Sequence, residues 1–277
     1  MKKYCGYSEF FHDAGIAFVM ENGDIDFATH SERYSGIKND PMMAPILYDM
    51  MDTADHVTYY EDYYIRNSTA WHKTYKGGLA NYISMKNQQH YDALVHDTYI
   101  AHHVSHAANG FYTRPWDDYE DTLILSVDGA GEVQSMVIYN HKFEILDQWE
   151  IPRSLGYLYS DSTRLTGYRH MEDEYVVMGL SAYGSPIYFE KILSNIFEED
   201  KKDIFKLNLK FFNHQKKGFR YIADENLIID QIFNKNLEEL FKIELEKDKN
   251  QFLKDMAASV QKIYEYFFKK ILNQITN

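Results

Sequence analysis

The stretch TLILSVDGAG, residues 122–131, decides the fold class of this chain. Its apolar run up to Val127 is typical of a strand buried inside a sheet, and Asp128 follows at the end of that run. We predict that the small residues 129–131 then turn the chain sharply. Two more strands and a helix are predicted to follow, at Val133–Tyr139, Phe143–Trp149 and Leu155–Leu165.

The N-terminal region repeats this pattern of three strands and a helix. The predicted elements are Tyr4–Phe11, Ala14–Met20, Ile25–Thr29 and a helix around Pro41–Met51. Because the pattern of three strands and a helix occurs twice in one chain, we predict a duplicated α/β fold. The first lobe covers residues 1–118 and the second covers 119–277. The longest helical pattern is Asn250–Ile275, whose apolar residues recur at helical spacing.

Composition excludes several classes of protein. The chain has 277 residues and a formal net charge of -13, which argues against sequence-independent nucleic-acid binding because that needs a basic surface. A single cysteine, Cys5, excludes an internal disulfide and favours the reducing cytoplasm; we expect it in the core of the first strand. The sequence contains no run of about eighteen apolar residues, so no membrane span is predicted.

A pair of histidines is the strongest local indication of chemistry. A strand is predicted at His96–Ala101, and if a helix begins directly after it, His102 and His106 stand at i and i+4 on one face. Two imidazoles so placed can bind one metal ion together with a carboxylate or water, and Fe(II), Zn and Mn all suit such donors. The alternative is a polar helix start whose histidines cap or pack.

Two turns carry further candidate residues. His12 and Asp13 lie in the turn after the first strand, where the imidazole can act as a general base assisted by the carboxylate. Neighbouring residues on a strand point in opposite directions, so an ordinary polar turn is the alternative. The motif DGAGE at 128–132 offers a carboxylate and close backbone approach, which fit a phosphate cradle or a metal oxygen, whereas a tight hairpin is the alternative.

Glycines interrupt apolar helical patterns at Gly156, Gly179 and Gly184. A glycine inside a helix is costly unless another group packs closely against it. Packing between helices and backbone approach to a ligand are both consistent with this pattern.

Seven short motifs occur in a recognisable order. They are Gly6 with Ser8 and HDA at 12–14, Glu32-Arg33, HHVSHAA at 102–108, DGAGE at 128–132, SLGYLYSDST at 154–163, EYVVMGLSAYG at 174–184 and DMAASVQ at 255–261. With them the chain resembles the O-carbamoyltransferase family of nodulation-factor, aminoglycoside and antibiotic carbamoyltransferases. The N-terminal domain of that family is similar to the protein that attaches threonylcarbamoyl to tRNA adenosine.

The resemblance implies two lobes of the actin, sugar-kinase and heat-shock ATPase type with a ligand cleft between them. It implies that a separate C-terminal domain makes carbamoyl-adenylate from carbamoyl phosphate and ATP, and that the domain represented here transfers the carbamoyl group to an acceptor hydroxyl. Its site residues are carried over as follows: His102, His106 and Asp128 bind the metal, usually iron; His12 with Asp13 is catalytic; and Gly129, Ala130, Gly131, Glu132 and Glu174 bind the nucleotide.

The chain departs from the family in two ways. Val176 stands where the family usually has Lys. The chain ends on the helix that precedes a glycine-rich strand of the second lobe, so we expect the rest of that lobe, a late metal-binding Asp and the adenylate-forming domain to come from a second polypeptide that docks along an apolar face of the terminal helix.

Two other interpretations stay open. One is an inactive remnant, or a metal- or nucleotide-binding module without turnover. The other is an unrelated metal hydrolase that uses His102, His106 and Asp128. Sugars, antibiotic alcohols and hydroxymethylated nucleobases all offer a hydroxyl that could accept the carbamoyl group. The acidic net charge disfavours a long nucleic acid as the acceptor.

Overall fold

A computed structural model describes residues 1–9, 13–61, 98–169, 172–198, 204–212, 219–221, 227–229 and 235–276. The fold is mixed α/β. The chain divides into two compact units, Met1–Ile124 with Phe219–Ile228, and Leu125–Gly218 with Ile229–Asn277. Each unit is described by itself.

The first unit contains a four-stranded sheet in the order β3-β2-β1-β4. Its strands are β1 (Lys3–Ser8), β2 (Gly15–Met20), β3 (Ile25–His30) and β4 (His56–Tyr59). The first three are antiparallel neighbours and β4 runs parallel to β1. The three predicted N-terminal strands are therefore confirmed. β1 ends at Ser8, and residues 10 and 11 of the predicted first strand lie outside the described residues.

Three helices in the described part of this unit are α1 (Glu32–Ser35), α2 (Pro45–Met51) and α3 (His102–Tyr112). The prediction that a helix begins at Pro41 was wrong by four residues. Pro45 occupies the first turn, and Ala44 before it is extended at ψ 139°, as the residue before a proline prefers.

The core of the first unit forms where β1 and β2 face α2. Cys5, Phe18, Leu47 and Met51 are all 2% exposed or less. The prediction for Cys5 is confirmed, and burial raises the pKa of its thiol to about 12, so it stays protonated.

The segment before α3 is only partly a strand. Tyr59 donates its N–H to the Thr98 carbonyl at 3.0 Å and accepts from the Ile100 N–H at 2.9 Å, which makes one parallel bridge between Tyr59 and Tyr99. Residues 96 and 97 of the predicted strand lie outside the described residues. This bridge is what holds the start of α3 beside the end of β4.

The second unit has a three-stranded sheet in the order β5-β6-β7. Its strands are β5 (Leu123–Gly131), β6 (Gln134–Asn140) and β7 (Ile145–Glu150). The predicted turn at residues 129–131 was wrong. The strand continues through Gly131, and the turn falls at Glu132, whose backbone has a positive φ of 41°.

Several helices complete the second unit. They are α4 (Leu155–Leu165), α5 (Glu174–Ser181), α6 (Phe189–Ile196), α7 (Lys235–Leu240), α8 (Lys242–Lys247) and α9 (Lys249–Thr276). This unit also contains a short strand pair, β8 (Phe197–Glu198) with β9 (Lys206–Leu207). A further pair, β10 (Phe219–Tyr221) with β11 (Leu227–Ile229), falls in the segment Phe219–Ile228 of the first unit except for its last residue. The bounds of α4 were predicted correctly.

The apolar stripe of α9 lies in the core of its own unit. Phe252, Met256, Val260, Ile263, Phe267 and Ile271 are each 3% exposed or less. The helix itself was predicted correctly, but the prediction that this face is an exposed docking surface was wrong. Phe205, Phe211 and Phe212 pack in the same core. Part of the segment that follows α6 therefore contributes to the core of this unit.

Among the described residues, none of the helices combines the length and the apolar character that a membrane crossing requires.

Candidate functional site

The first turn of α3 brings two imidazoles together. The Nε2 atoms of His102 and His106 are 3.0 Å apart, and the ring centroids are 4.7 Å apart. The predicted i, i+4 placement is confirmed. Two nitrogens at about 2.1 Å from one ion would stand about 3 Å apart at the usual bond angles, so the pair has the spacing of two ligands of one metal.

A carboxylate lies on the other side of His102. Glu61 Oε2 is 3.6 Å from His102 Nδ1, and the side chains of Glu61 and His102 are 0% and 10% exposed. Ser105 donates its hydroxyl to the Tyr60 carbonyl at 2.9 Å, which joins α3 to this segment. Glu61 was not among the residues predicted from the sequence. Its position two residues after the end of β4 is a feature that could have indicated it.

Asp13 and Ala14, directly before β2, are held by backbone hydrogen bonds to residues 39 and 40. His12, a predicted catalytic residue, lies outside the described residues. Asp13 is described and has a left-handed backbone with φ 52°, and its N–H donates to the Asn39 carbonyl at 3.4 Å. Ala14 donates to the Asp40 carbonyl at 2.7 Å. The catalytic role of the pair stays a prediction.

A second carboxyl group that was not predicted from the sequence lies directly after β1. Glu9 is 1% exposed, and its Oε1 accepts from the Met43 N–H at 2.7 Å and from the Tyr48 hydroxyl. Its backbone carbonyl accepts from the Tyr59 hydroxyl at 2.9 Å. Burial raises the pKa of Glu9 to about 7, although the bonds from Tyr48 and Met43 act in the opposite direction. Glu9 therefore changes charge near neutral pH.

In the second unit, Asp128 lies within β5, and several hydrogen bonds fix the backbone beside it. The Gly129 N–H donates to Asp128 Oδ1 at 2.6 Å. Ser154 caps α4 by accepting from the Tyr157 N–H at 3.0 Å, and its hydroxyl donates to the Gly129 carbonyl at 2.7 Å. One serine therefore ties the start of α4 to the strand that carries Asp128.

The glycines of this region allow close packing. A Cβ on Gly156 would lie 2.5 Å from the Gly129 nitrogen and 2.6 Å from the Asp128 carbonyl carbon. Gly156 therefore lets α4 approach the backbone of β5, which favours the packing interpretation of this glycine.

We expect Gly156→Ala to destabilise the protein by about 1–3 kcal/mol, because rigid backbone atoms would have to move. Gly179→Ala is the matched control: Gly179 lies in α5, and a Cβ added there would meet nothing within 4 Å, so the higher helix propensity of alanine should stabilise the protein by up to about 1 kcal/mol. Urea unfolding of both variants measures the difference, and equal effects would contradict the close approach.

The remaining predicted nucleotide ligands lie at the ends of elements. Glu132 forms the turn between β5 and β6, and Glu174 is the first residue of α5. Burial, and then the negative charge of Glu174, raise the pKa of Tyr159 to about 12. The role of Glu132 and Glu174 in nucleotide binding stays a prediction.

A third missed carboxyl group is buried in α4. Asp161 is 0% exposed, and among the described residues neither of its carboxylate oxygens has a hydrogen-bond partner. Burial raises the pKa of Asp161 well above its ordinary value, while Arg164 acts in the opposite direction.

Comparison with known proteins gives a family match. A model of the family described as "Carbamoyltransferase N-terminus" matches residues 58–277. An uncharacterized protein of Synechocystis sp., sll1178, is 29% identical over 253 residues, which cover 77% of this chain and 40% of the relative.

A nodulation protein of Sinorhizobium fredii, NolNO, is 34% identical over 104 residues, which cover 36% of this chain and 15% of the relative. The chain thus spans less than half the length of these curated relatives. Because the family model covers most of the sequence, the chain belongs to the carbamoyltransferase N-terminus family.

Proposed function

We propose that this chain carries the transfer site of an O-carbamoyltransferase, which moves a carbamoyl group from carbamoyl-adenylate to an acceptor hydroxyl. The observation that carries the proposal is the pair of imidazole nitrogens of His102 and His106, 3.0 Å apart, in a chain of this family. The donor is proposed to form from ATP and carbamoyl phosphate in another part of a longer protein or in a second polypeptide.

The proposal extends to the fold. We infer that the two compact units correspond to the lobes of an actin-like fold. Three antiparallel strands followed by a parallel fourth in the first unit support this, as does the second sheet that begins at β5, in which β6 and β7 are antiparallel. The buried, reduced thiol of Cys5 supports a cytoplasmic location.

The residues present fit a divalent metal. His102 and His106 offer imidazole nitrogens, and we propose Asp128 as a carboxylate ligand; Fe(II) is our first choice for such donors. When bound, the ion supplies Lewis acidity that stabilises negative charge on the carbonyl or phosphate oxygen. The alternative of a metal hydrolase uses the same donors but has no support from the family match.

The chain's own residues would act on the acceptor and the donor. In the proposed step the acceptor oxygen bonds to the carbamoyl carbon while the carbon–oxygen bond to the AMP phosphate breaks. His12 takes the hydroxyl proton, and Asp13 orients or charges that imidazole. The backbone from Gly129 to Glu132, with Glu174, is proposed to contact the departing nucleotide.

The experiment co-expresses the full chain with a polypeptide that carries the rest of the second lobe and the adenylate-forming domain, and supplies metal, an acceptor alcohol, carbamoyl phosphate and ATP. We expect AMP release coupled to carbamoylation of the alcohol, and at least about 100-fold less of both with His106→Ala, since direct charge stabilisation is lost. Coupled turnover that is unchanged in His106→Ala would contradict the proposal.

A binding module without turnover is the second candidate, because Val176 on α5 replaces the Lys usual in the family. It predicts metal and nucleotide binding with no carbamoylated alcohol. If Val176→Lys then restored transfer, the loss of that cation would explain the missing turnover.

A further inference from the structure

We propose that Glu61 is the positioning residue of the histidine pair: it receives the Nδ1–H of His102 and so holds the ring with Nε2 facing His106. The inference rests on the proposed function, in which the pair binds a divalent metal. Metal-binding histidines commonly donate their second ring N–H to a carboxylate, which sets the tautomer and raises the basicity of the ligating nitrogen.

The burial of both side chains gives the contact its strength. Glu61 is fully buried and His102 nearly so, and the 3.6 Å between Glu61 Oε2 and His102 Nδ1 is slightly longer than a hydrogen bond. A buried carboxylate is costly unless a donor or a positive charge faces it. A small rotation of the His102 ring toward Glu61 would close the hydrogen bond when the opposite nitrogen is engaged.

The backbone around Glu61 is held in place independently of the histidines. Tyr59, two residues earlier, exchanges two backbone hydrogen bonds with residues 98–100. The Tyr60 carbonyl accepts from Ser105 on α3, and the Tyr60 ring lies 5.6 Å from the His102 ring. The carboxylate is therefore presented to His102 by a segment anchored both to the sheet and to the helix.

The contact between Glu61 and His102 also determines which ring nitrogens of the two histidines carry a proton. If His102 carries its proton on Nδ1, its Nε2 has a lone pair, and the 3.0 Å contact requires His106 to donate from Nε2. Metal binding then requires His106 to move that proton to Nδ1, while His102 is already in the ligating tautomer. Glu61 thus prepares one of the two ligands in advance.

The experiment compares Glu61→Gln with Glu21→Gln on the full chain. Both variants remove one negative charge, but Glu21 is an exposed residue at the β2–β3 turn, so a general effect of net charge on cation binding would appear in both. We expect Glu61→Gln to weaken Co(II) affinity about 10–100-fold and Glu21→Gln to leave it nearly unchanged. Equal affinity of wild type and Glu61→Gln would overturn the inference.

A second readout separates this inference from the proposed function. The ¹⁵N shifts of the His102 ring in the metal-free chain are expected to report Nδ1–H in the wild type and a loss of that preference in Glu61→Met. Failure of the wild type to bind metal would overturn the proposed function, whereas an unchanged His102 tautomer in Glu61→Met would overturn the positioning role of Glu61.

Discussion

Asp161→Asn is expected to raise the free energy of unfolding, by an amount that grows as the pH rises above about 4. Asp161 lies fully buried in α4 without a hydrogen-bond partner among the described residues, and burial holds its pKa well above the ordinary value. The unfolded chain ionises this carboxyl freely in water, whereas the folded chain keeps it protonated or carries a costly buried charge.

The direction follows from proton counting. Between the unfolded pKa, about 3.9, and the raised folded pKa, the folded state binds more protons than the unfolded state, so wild-type stability falls as pH rises. Asparagine has no such titration. The stability difference between Asp161→Asn and the wild type should therefore increase by up to about 1.4 kcal/mol per pH unit within that window.

Denaturant unfolding at several pH values, followed by the fluorescence of buried Trp149 in the same unit, measures this difference. Asp118→Asn, which changes an exposed aspartate, is the control and should show a small, nearly constant difference. A pH-independent difference for Asp161→Asn would mean that the carboxyl is already ionised and stabilised in the folded protein.

His106→Ala is expected to lower the affinity of the chain for a divalent metal at least about 100-fold, because loss of a direct ligand exceeds the loss of an outer-shell partner. The matched control is His103→Ala. His103 lies on the same helix and is buried, and its ring centroid is 5.5 Å from that of His102 and 6.4 Å from that of His106. It shares the packing of the pair, but among the described residues it is not one of those whose ligand atoms lie close enough to hold one ion.

Titration with Co(II), monitored by its absorption bands, checks both variants. We expect His103→Ala to keep affinity within about 3-fold of the wild type if its only role is packing on α3. Equal losses for the two variants would indicate that helix stability, and not ligation, controls binding.

Local patterns predicted much of the fold. The N-terminal strands, α4 and α9 each carry a regular apolar period, and the spacing of His102 and His106 follows from helix geometry alone. These features depend on a few neighbouring residues, so the sequence contains them directly.

What the sequence did not reveal depends on contacts between distant residues. Glu9 and Glu61 are buried by segments more than thirty residues away in sequence, through Met43 and His102. Gly156 is required because β5 runs beneath α4, and no period in the sequence contains that approach. The turn at Glu132 was missed because the glycines before it also suit a continuing strand.

X-ray absorption spectroscopy of the full chain loaded with Fe(II) tests the account most directly. We predict the scattering pattern of two imidazole rings with nitrogens at about 2.1 Å from the metal, and its loss in His102→Ala/His106→Ala. A tightly bound metal whose spectrum contains only oxygen ligands would contradict the claim that this histidine pair is the metal site.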